Sequence, residues 1–531
     1  MNANAGLTDR RVFGRMNTRT KLPALRRAAL LPVLWLLAAQ VLPAAMIFNG
    51  DGSDEPGFVP PPRKPERPPP PPANMSGGEN YIPYPGPPVT PQSRSEKKNP
   101  PTPPVMFTKL TSSYGEIDWS ARPNDLNNLL KSLKGMADVD FACEAKSFAD
   151  VSPDPEQNPI LYRTGHFHFF LTADEKRKLR DYLLHGGTII LNAGMGSKPF
   201  YDSARRVLAE VLPETPIRRL SPDHPIFHAY YDLDRVQYRQ AVRAAGYTSD
   251  EPWLEGVTVD CRTVAVVSRW GMEVGWDPVE SEALLAYRPE SAQKLGMNIL
   301  AYATAMRAWT RQAARSMQFT DDPAARSGSR LQVAQVIHAG EWKTRHAGIS
   351  VLLQQFNRKT EIPVKFERRE MRLTDPGLHD APLLYMTGHE DFALKPEEIA
   401  ALRAYLSSGG LLVAEACCGR KGFDLAFREV LGKVLPGDGL KQILPGHPLL
   451  TMPNAIGQVT ATPALARQSG GKSVVDPALL AVEHEGHLAV IYSPLGLAGG
   501  WELSPSPYAL GYEDASALAI GENVLMYAIT K

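Results

Sequence analysis

Along most of the chain, hydrophobic and polar positions alternate between short β-branched runs and longer stretches with one apolar helical face. In the C-terminal part the short runs are Leu331–Ile337, Ile362–Phe366, Leu383–Tyr385, Leu411–Ala414 and Leu488–Tyr492, which predict strands buried on both sides. Phe423, Ala426, Phe427, Val430, Leu431 and Val434 recur at helical spacing, predicting a helix from Phe423 to Val434 with one buried face. Pro396-Glu397-Glu398 has the makings of a helix start, because proline suits the first turn and acids complement the helix dipole. Gly409-Gly410 falls where that helix must stop. Strand, helix, strand at this spacing means a mostly parallel, doubly wound α/β sheet with helices on both faces.

The pattern is written twice. A shift of 223 residues lays Trp119 on Trp342, Arg122 on Arg345, Thr164-Gly165-His166 on Thr387-Gly388-His389, Tyr182 on Tyr405, Gly186-Gly187 on Gly409-Gly410 and His224-Pro225 on His447-Pro448. A shift of 225 continues the register, carrying Ser268 onto Ser493, Gly275-Trp276 onto Gly500-Trp501, Asn298 onto Asn523 and Tyr302 onto Tyr527. The period is too long for a solenoid unit and fits a duplicated domain. The expected organisation is a first, degenerate repeat over 105–310, a connection over 311–330 and a second repeat over 331–531.

Two further segments precede the repeats. Arg10, Arg11, Arg15, Arg19, Lys21, Arg26 and Arg27 lead into an uncharged apolar run from Ala28 to Phe48. This predicts, within residues 1–50, a signal peptide or membrane anchor with the basic end in the cytoplasm and the bulk of the chain outside. Residues 51–104 are a proline tract, with Pro60-Pro61-Pro62 and Pro68 to Pro72. Such composition cannot bury enough apolar surface to fold and predicts a disordered spacer. The expected location is therefore the cell envelope, membrane-anchored or exported. The net charge of +1 gives no global field for nucleic acid, so the expected partners are a membrane, through the N-terminal segment, and an envelope protein or a small ligand.

In open parallel sheets, ligands bind beyond the carboxyl ends of the strands. Thr387-Gly388-His389, Glu415-Ala416-Cys417-Cys418-Gly419, Ser493-Pro494 and Trp342 all follow predicted strands, so they are expected to share one rim. A cysteine in a tight strand-to-helix turn has a route to thiolate reactivity, making Cys417 or Cys418 a candidate nucleophile, His389 its base and Glu415 a residue that orients the base or steers the loop. The competing reading packs the cysteines between turn and sheet and has His389 brace a loop. The first repeat favours the latter: it keeps His166 but has Asn192, Gly194 and Met195 at the positions of Glu415, Cys417 and Cys418. Adjacent cysteines and one distant histidine do not have the paired spacing of structural zinc sites, so neither metal nor cofactor is expected. Cys143 and Cys261 would pair only if the sheet brings them together. Both His-Pro pairs are expected to form turns, and Trp276 and Trp501 either line the rim or pack in the core.

Taken together, Trp342 with Arg345, Thr387-Gly388-His389 with Phe392, Gly409-Gly410, Glu415-Ala416-Cys417-Cys418-Gly419, and Leu488 to Ser493 with Gly500-Trp501-Glu502 resemble the bacterial family termed domain of unknown function 4159. Both repeats resemble it, over about 105–306 and 331–530, and the second is closer. A cysteine common in that family before the late Gly-Trp is Gly499 here. The resemblance implies a flavodoxin-like fold akin to class I glutamine amidotransferases, usually in envelope-associated proteins. The late His and Glu of amidotransferases have no counterpart in the matching region. The leading expectation is a non-catalytic binding or scaffold module whose rim is lined by Trp342, Arg345, Thr387, Gly388, Gly419, Ser493, Trp501 and His166. The alternative is a cysteine hydrolase or amidase confined to the second repeat.

Overall fold

The computed structural model describes residues 104–133, 140–313 and 331–530. The apolar run from Ala28, the proline tract through residue 103 and the connection over 314–330 lie outside the described residues. The chain divides into two units, Met1–Lys97 and Lys98–Lys531, and everything described belongs to the second. Among the described residues no helix is long and apolar enough to cross a membrane.

Two seven-stranded sheets follow one another along the chain. The first comprises β1 (Val105–Leu110), β2 (Phe141–Lys146), β3 (Ile160–Gly165), β4 (Thr188–Ala193), β5 (Arg218–Arg219), β6 (Glu255–Val259) and β7 (Arg262–Ser268) in the order β2-β1-β3-β4-β7-β6-β5. The second comprises β8 (Val333–Val336), β9 (Arg369–Met371), β10 (Leu383–Gly388), β11 (Leu412–Ala416), β12 (Lys441–Gln442), β15 (Leu480–His484) and β16 (His487–Ser493); β13 (Val459–Thr460) and β14 (Val474–Val475) form a separate small ribbon. Taken from β9 its order is β9-β8-β10-β11-β16-β15-β12, the same topology as the first. The central strands pair in parallel, and each sheet ends in an antiparallel hairpin, β6–β7 or β15–β16.

Burial on both sides explains the near-continuous apolar strands. Ile160 and Tyr162 point toward the helices Asp125–Leu133 and Pro289–Ala313, while Leu161 between them points toward Ala173–Leu184 and Lys198–Val211. In the second sheet Gly348–Thr360 and Asp514–Thr530 cover one face, and Pro396–Ser407 and Lys421–Val434 the other. Each fully buried Leu or Phe in these layers contributes roughly 1.5–3 kcal/mol.

The shared Gly-Gly pairs have a steric cause. Gly186 and Gly409 have φ of 114° and 92°, which end their helices. A Cβ on Gly187 or Gly410 would lie 2.2 or 2.3 Å from the ring of Tyr182 or Tyr405. Those tyrosines bond backbone at the start of the next strand, Tyr182 to Thr188 O and Tyr405 to Leu411 O. The strand expected at Ile362–Phe366 is only a bridge between Leu331 and Val364; the edge strand forms at Arg369–Met371, whose exposed arginine and glutamate hid it from a hydrophobicity pattern. Trp276 and Trp501 are core residues whose indole N–H groups donate to Ala292 O and Ala517 O. His224 and His447 each accept a backbone N–H two residues on, forming the expected turns.

The aligned asparagines Asn298 and Asn523 are fully buried and pin loops. Asn298 Nδ2 donates to Phe227 O and Tyr231 O, and its Oδ1 accepts Tyr231 N–H; Asn523 Nδ2 donates to Leu449 O and Asn454 O, and its Oδ1 accepts Asn454 N–H. Replacing either amide with leucine leaves several buried backbone groups unpaired. Asn298→Leu and Asn523→Leu are each expected to cost roughly 2–4 kcal/mol, measured as a lower denaturant midpoint for the affected repeat.

Candidate metal centre

In the second sheet, β9 lies on one side of β8 and β10 on the other, so the chain reverses direction across the sheet between β8 and β10. The loops leaving those strands diverge there and open a crevice, the usual place for a ligand in this architecture. Glu341 follows β8, His389 directly follows β10, and Cys417-Cys418-Gly419 directly follows β11. The rim expected from sequence thus forms, and His389 lies beside the vicinal cysteines.

A fourth group arrives from the first repeat. Cys261 sits at the tip of the β6–β7 hairpin, where Asp260 and Cys261 both have positive φ, 46° and 62°. The hairpin tip of the second repeat, Glu485-Gly486, has the same backbone, with glycine at the second position. Cysteine there bears a cost of roughly 1–2 kcal/mol that glycine would avoid. Its Sγ lies 3.3 Å from His389 Nε2 and 3.4 Å from Cys417 Sγ, and Cys417 and Cys418 are 3.8 Å apart. All four donor atoms fall within 4.8 Å of one another.

The vicinal pair converges because Cys418 is left-handed, with φ 56° and ψ 17°. Side chains of neighbouring residues ordinarily diverge; this turn brings both thiols to one side. The same bend occurs at Met195, φ 50°, so the first repeat keeps the elbow without the sulfurs.

Around the four donors sits a second layer. His389 Nδ1 bonds Glu341 Oε2 at 3.1 Å, which leaves Nε2 facing the sulfurs. Arg345, fully buried, pairs with Glu502 at 3.1 Å and lies over Trp309 at 4.8 Å, while its Nε and Nη2 have no hydrogen-bond partner. Burial opposes charge on Arg345, but Cys261, Glu502 and the two other thiols together raise its pKa well above the ordinary value. Burial pushes the Cys417 thiol up, and Cys261 likewise. Hydrogen bonds from Cys261 and Cys417 hold Cys418 well below the ordinary thiol range, helped by His389 and Arg345. Burial disfavours the His389 cation, yet Cys261 first and then Cys418 and Glu341 raise its pKa well above that of a free imidazole. Burial likewise works against the Glu341 carboxylate, but the His389 hydrogen bond and the charges of His389, Arg218 and Arg420 together hold its pKa below the ordinary value. A cavity of about 240 Å³, lined among others by Arg218, Asp260, Trp342 and Lys343, opens beside Cys261 and His389.

Other residues expected at the site are nearby but serve the fold. Glu415 does not orient His389. Its carboxylate accepts Tyr385 OH at 2.6 Å, Thr387 Oγ1 at 3.2 Å, Ala498 N at 3.0 Å and Leu497 N. Gly388 is strand backbone against Gly340 O; Gly419, φ 69°, closes the elbow; and Ser493 Oγ donates to Leu495 O. His166 lies 3.0 Å from Gly194 O through Nδ1. Cys143 bonds Asn127 and does not meet Cys261. Glu341 went unnoticed in the sequence, although the 223-residue shift lays it on Asp118, which accepts the backbone N–H of His166 and Phe167. Three of the donors belong to one repeat; the fourth, Cys261, lies 128 residues before His389 and in the other domain, where the spacing of His and Cys within one repeat gives no sign of it.

Comparison of the repeats explains Glu415. In the first repeat the buried carboxylate is Glu273, bonded to Asn192 Nδ2 at 2.5 Å and Met195 N at 2.7 Å. In the second repeat the positions of Glu273 and Asn192 hold Ala498 and Glu415, so the carboxylate has moved from the start of the helix Glu273–Trp276 to the strand β11. The exchange frees the elbow backbone of the carboxylate contact that Met195 N makes in the first repeat. Glu273→Ala is expected to lower the unfolding midpoint by the equivalent of roughly 2–3 kcal/mol, and adding Asn192→Glu to recover at least half of it, a compensation checked by comparing both variants in denaturant.

A family model for Domain of unknown function (DUF4159) matches residues 107–304 and 332–529. No curated protein matches the chain. Among solved structures, a putative ThuA-like protein from Bacteroides uniformis is similar at 12% identity with a TM-score of 0.22, covering 40% of this chain and 96% of that one. A putative phosphosugar isomerase from Silicibacter pomeroyi is similar at 10% identity with a TM-score of 0.14, covering 59% and 75% respectively.

Proposed function

The chain belongs to the DUF4159 family, carried in two tandem copies, and we propose that it is a non-catalytic binding module whose ligand is a soft divalent cation of the zinc class, held between the copies by Cys261, His389, Cys417 and Cys418. The observation that carries this is the mutual spacing of the four donor atoms. A tetrahedron with metal–sulfur bonds of ~2.3 Å has sulfur–sulfur edges of about 3.8 Å and slightly shorter sulfur–nitrogen edges. Three of the six separations, 3.3, 3.4 and 3.8 Å, lie within a few tenths of an ångström of those edges, and the other three are no longer than 4.8 Å.

Charge supports the same reading. Three thiolates and a dication carry one net negative charge; the buried Arg345 guanidinium, shared with Glu502, lies among their counter-charges, and its unpartnered N–H groups suit sulfur acceptors. Glu341 accepts from His389 Nδ1, the contact that would fix a ligating imidazole with Nε2 toward the sulfurs and raise its basicity. Four protein ligands fill a tetrahedral site and leave no position for substrate, the mark of a structural centre. Such a centre would staple the repeats together. We also place the module outside the cytoplasm, on the strength of the basic flank and the apolar run from Ala28 to Phe48. There a bound metal would protect thiols within bonding reach of one another from oxidation.

A second reading, a cysteine hydrolase or amidase, draws on Cys418 in a left-handed strand-to-helix turn and on the His389–Glu341 pair beside the cavity. Metal analysis separates the two. The full chain, purified without added chelator, is expected to carry about one zinc-class ion, and its cobalt form to show the intense visible bands of tetrahedral sulfur ligation. Cys261→Ser should abolish those bands, and Glu341→Gln should weaken cobalt binding about 10–100-fold. A chain that takes up no metal at neutral pH, yet is acylated at Cys418 by an activated ester in a His389-dependent way, would establish the hydrolase instead. Because both histidine and thiol protons must leave, metal is expected to be retained at neutral pH and lost progressively as pH falls, followed by cobalt absorbance.

A further inference from the structure

The seam between the repeats is a head-to-tail contact. One partner surface is the hairpin edge of the first repeat with the flank of its helix Pro289–Ala313, and the other is the strand-end rim of the second with the loop that carries Ser504 and Tyr508. Besides Cys261, Arg218 Nη2 donates to Ala339 O at 2.8 Å, Arg420 reaches Ser221 Oγ at 2.9 Å and Asp223 O at 3.1 Å, and Asp260 meets His346 at 3.1 Å. A contact between unlike faces does not use itself up. Each repeat has both faces, so the pairing leaves the rim of the first repeat and the hairpin edge of the second without their counterparts.

Both remaining faces carry apolar side chains at interface positions. On the first rim, Tyr114, Ile117 and Phe167 are 49, 72 and 41% exposed, and the rings of Tyr114 and Phe167 lie 5.0 Å apart. By the repeat register they stand where Ile337, Gly340 and Glu390 stand in the second repeat, in the loops that receive the first repeat's hairpin edge. On the second hairpin edge, Leu444, 67% exposed, stands at the position of Ser221, which accepts from Arg420 across the seam. A surface hollow beside it, lined by Ile443, Leu444, Ala481 and Leu488, adds apolar area. Charge is complementary as well: exposed Lys441 occupies the place of Arg218, and exposed Glu116 occupies that of Ala339, whose carbonyl Arg218 contacts.

We propose that the chain associates head to tail with a second copy of itself, the β12–β15–β16 edge of one copy docking on the first-repeat rim of the next and repeating the geometry of the internal seam. Three of the four donors have no counterpart there, since Gly486 stands for Cys261, and Gly194 and Met195 for the vicinal pair, and His166 alone, at the place of His389, makes no site. The contact is therefore reversible and depends on concentration, whereas the internal seam does not. This inference does not require the metal reading.

Because the two faces differ, the association has a signature that a symmetric dimer lacks. The full chain in non-ionic detergent is measured by light scattering over a wide concentration range. Wild-type average mass should roughly double or rise further with concentration. A rim-blocked variant, Ile117→Glu with Phe167→Glu, and an edge-blocked variant, Leu444→Glu, should each stay monomeric with unchanged circular dichroism and metal content. An equal mixture of the two retains one good face from each and should form dimers that grow no further. A wild-type chain that stays monomeric, an association that survives in both variants, or a mixture that does not recombine would overturn the proposal. If a blocked variant fails to fold, Ile117→Ser and Leu444→Ser serve instead, with the same outcomes required.

Discussion

Three sulfur atoms gathered in a water-poor seam cannot all be charged unless positive charge is placed among them. That constraint accounts for more of this molecule than any other. It explains why a guanidinium with two unpartnered nitrogens is buried at the seam, since Arg345 would otherwise carry a large desolvation cost for a single ion pair with Glu502. It also explains why Glu341 turns toward His389 Nδ1 rather than toward the sulfurs. The strained backbone at Cys261 and Cys418 belongs to the same account: two cysteines occupy left-handed positions where glycine would cost nothing, because the thiols must meet.

The duplication shows how such a site arises on an inherited sheet. Both repeats retain topology, elbow, Gly-Gly stop and buried asparagine, which are demands of packing and backbone. What differs is the chemistry on the rim. The first repeat supplies one thiol from its hairpin and fills its own rim with Glu273 and Asn192, bonded to each other, and with backbone contacts of Glu273 and His166. The second supplies three donors and carries its buried carboxylate on β11 as Glu415, bonded to the backbone of Leu497 and Ala498. Neither copy contains the site alone.

Much of the fold was legible in the sequence because burial on both faces writes continuous apolar strands, and because the register of the repeat doubled each signal. The Phe423–Val434 helical face and the stop at Gly409-Gly410 follow from side-chain periodicity and backbone freedom. The edge strand Arg369–Met371 and the hairpin strand Leu480–His484 were not legible, since short peripheral strands carry polar residues and little pattern. For the site, placing His389 and Cys417-Cys418 after adjacent strands required only the strand-end rule for parallel sheets. Cys261 could not be found that way. It lies on the opposite, hairpin side of the other repeat's sheet, and only the docking of two domains gives it neighbours; the substitution of cysteine for the glycine seen at the matching hairpin tip was its one trace.

Because the hairpin tip that completes the cluster is made long before the residues it meets, the ligand set is split across the order of synthesis. A ribosome-bound chain exposes one thiol with no partner until the whole second domain has emerged and folded. Occupancy of the cluster would thus be a record that both halves have matured, and a truncated or half-folded product would show itself by bare sulfur.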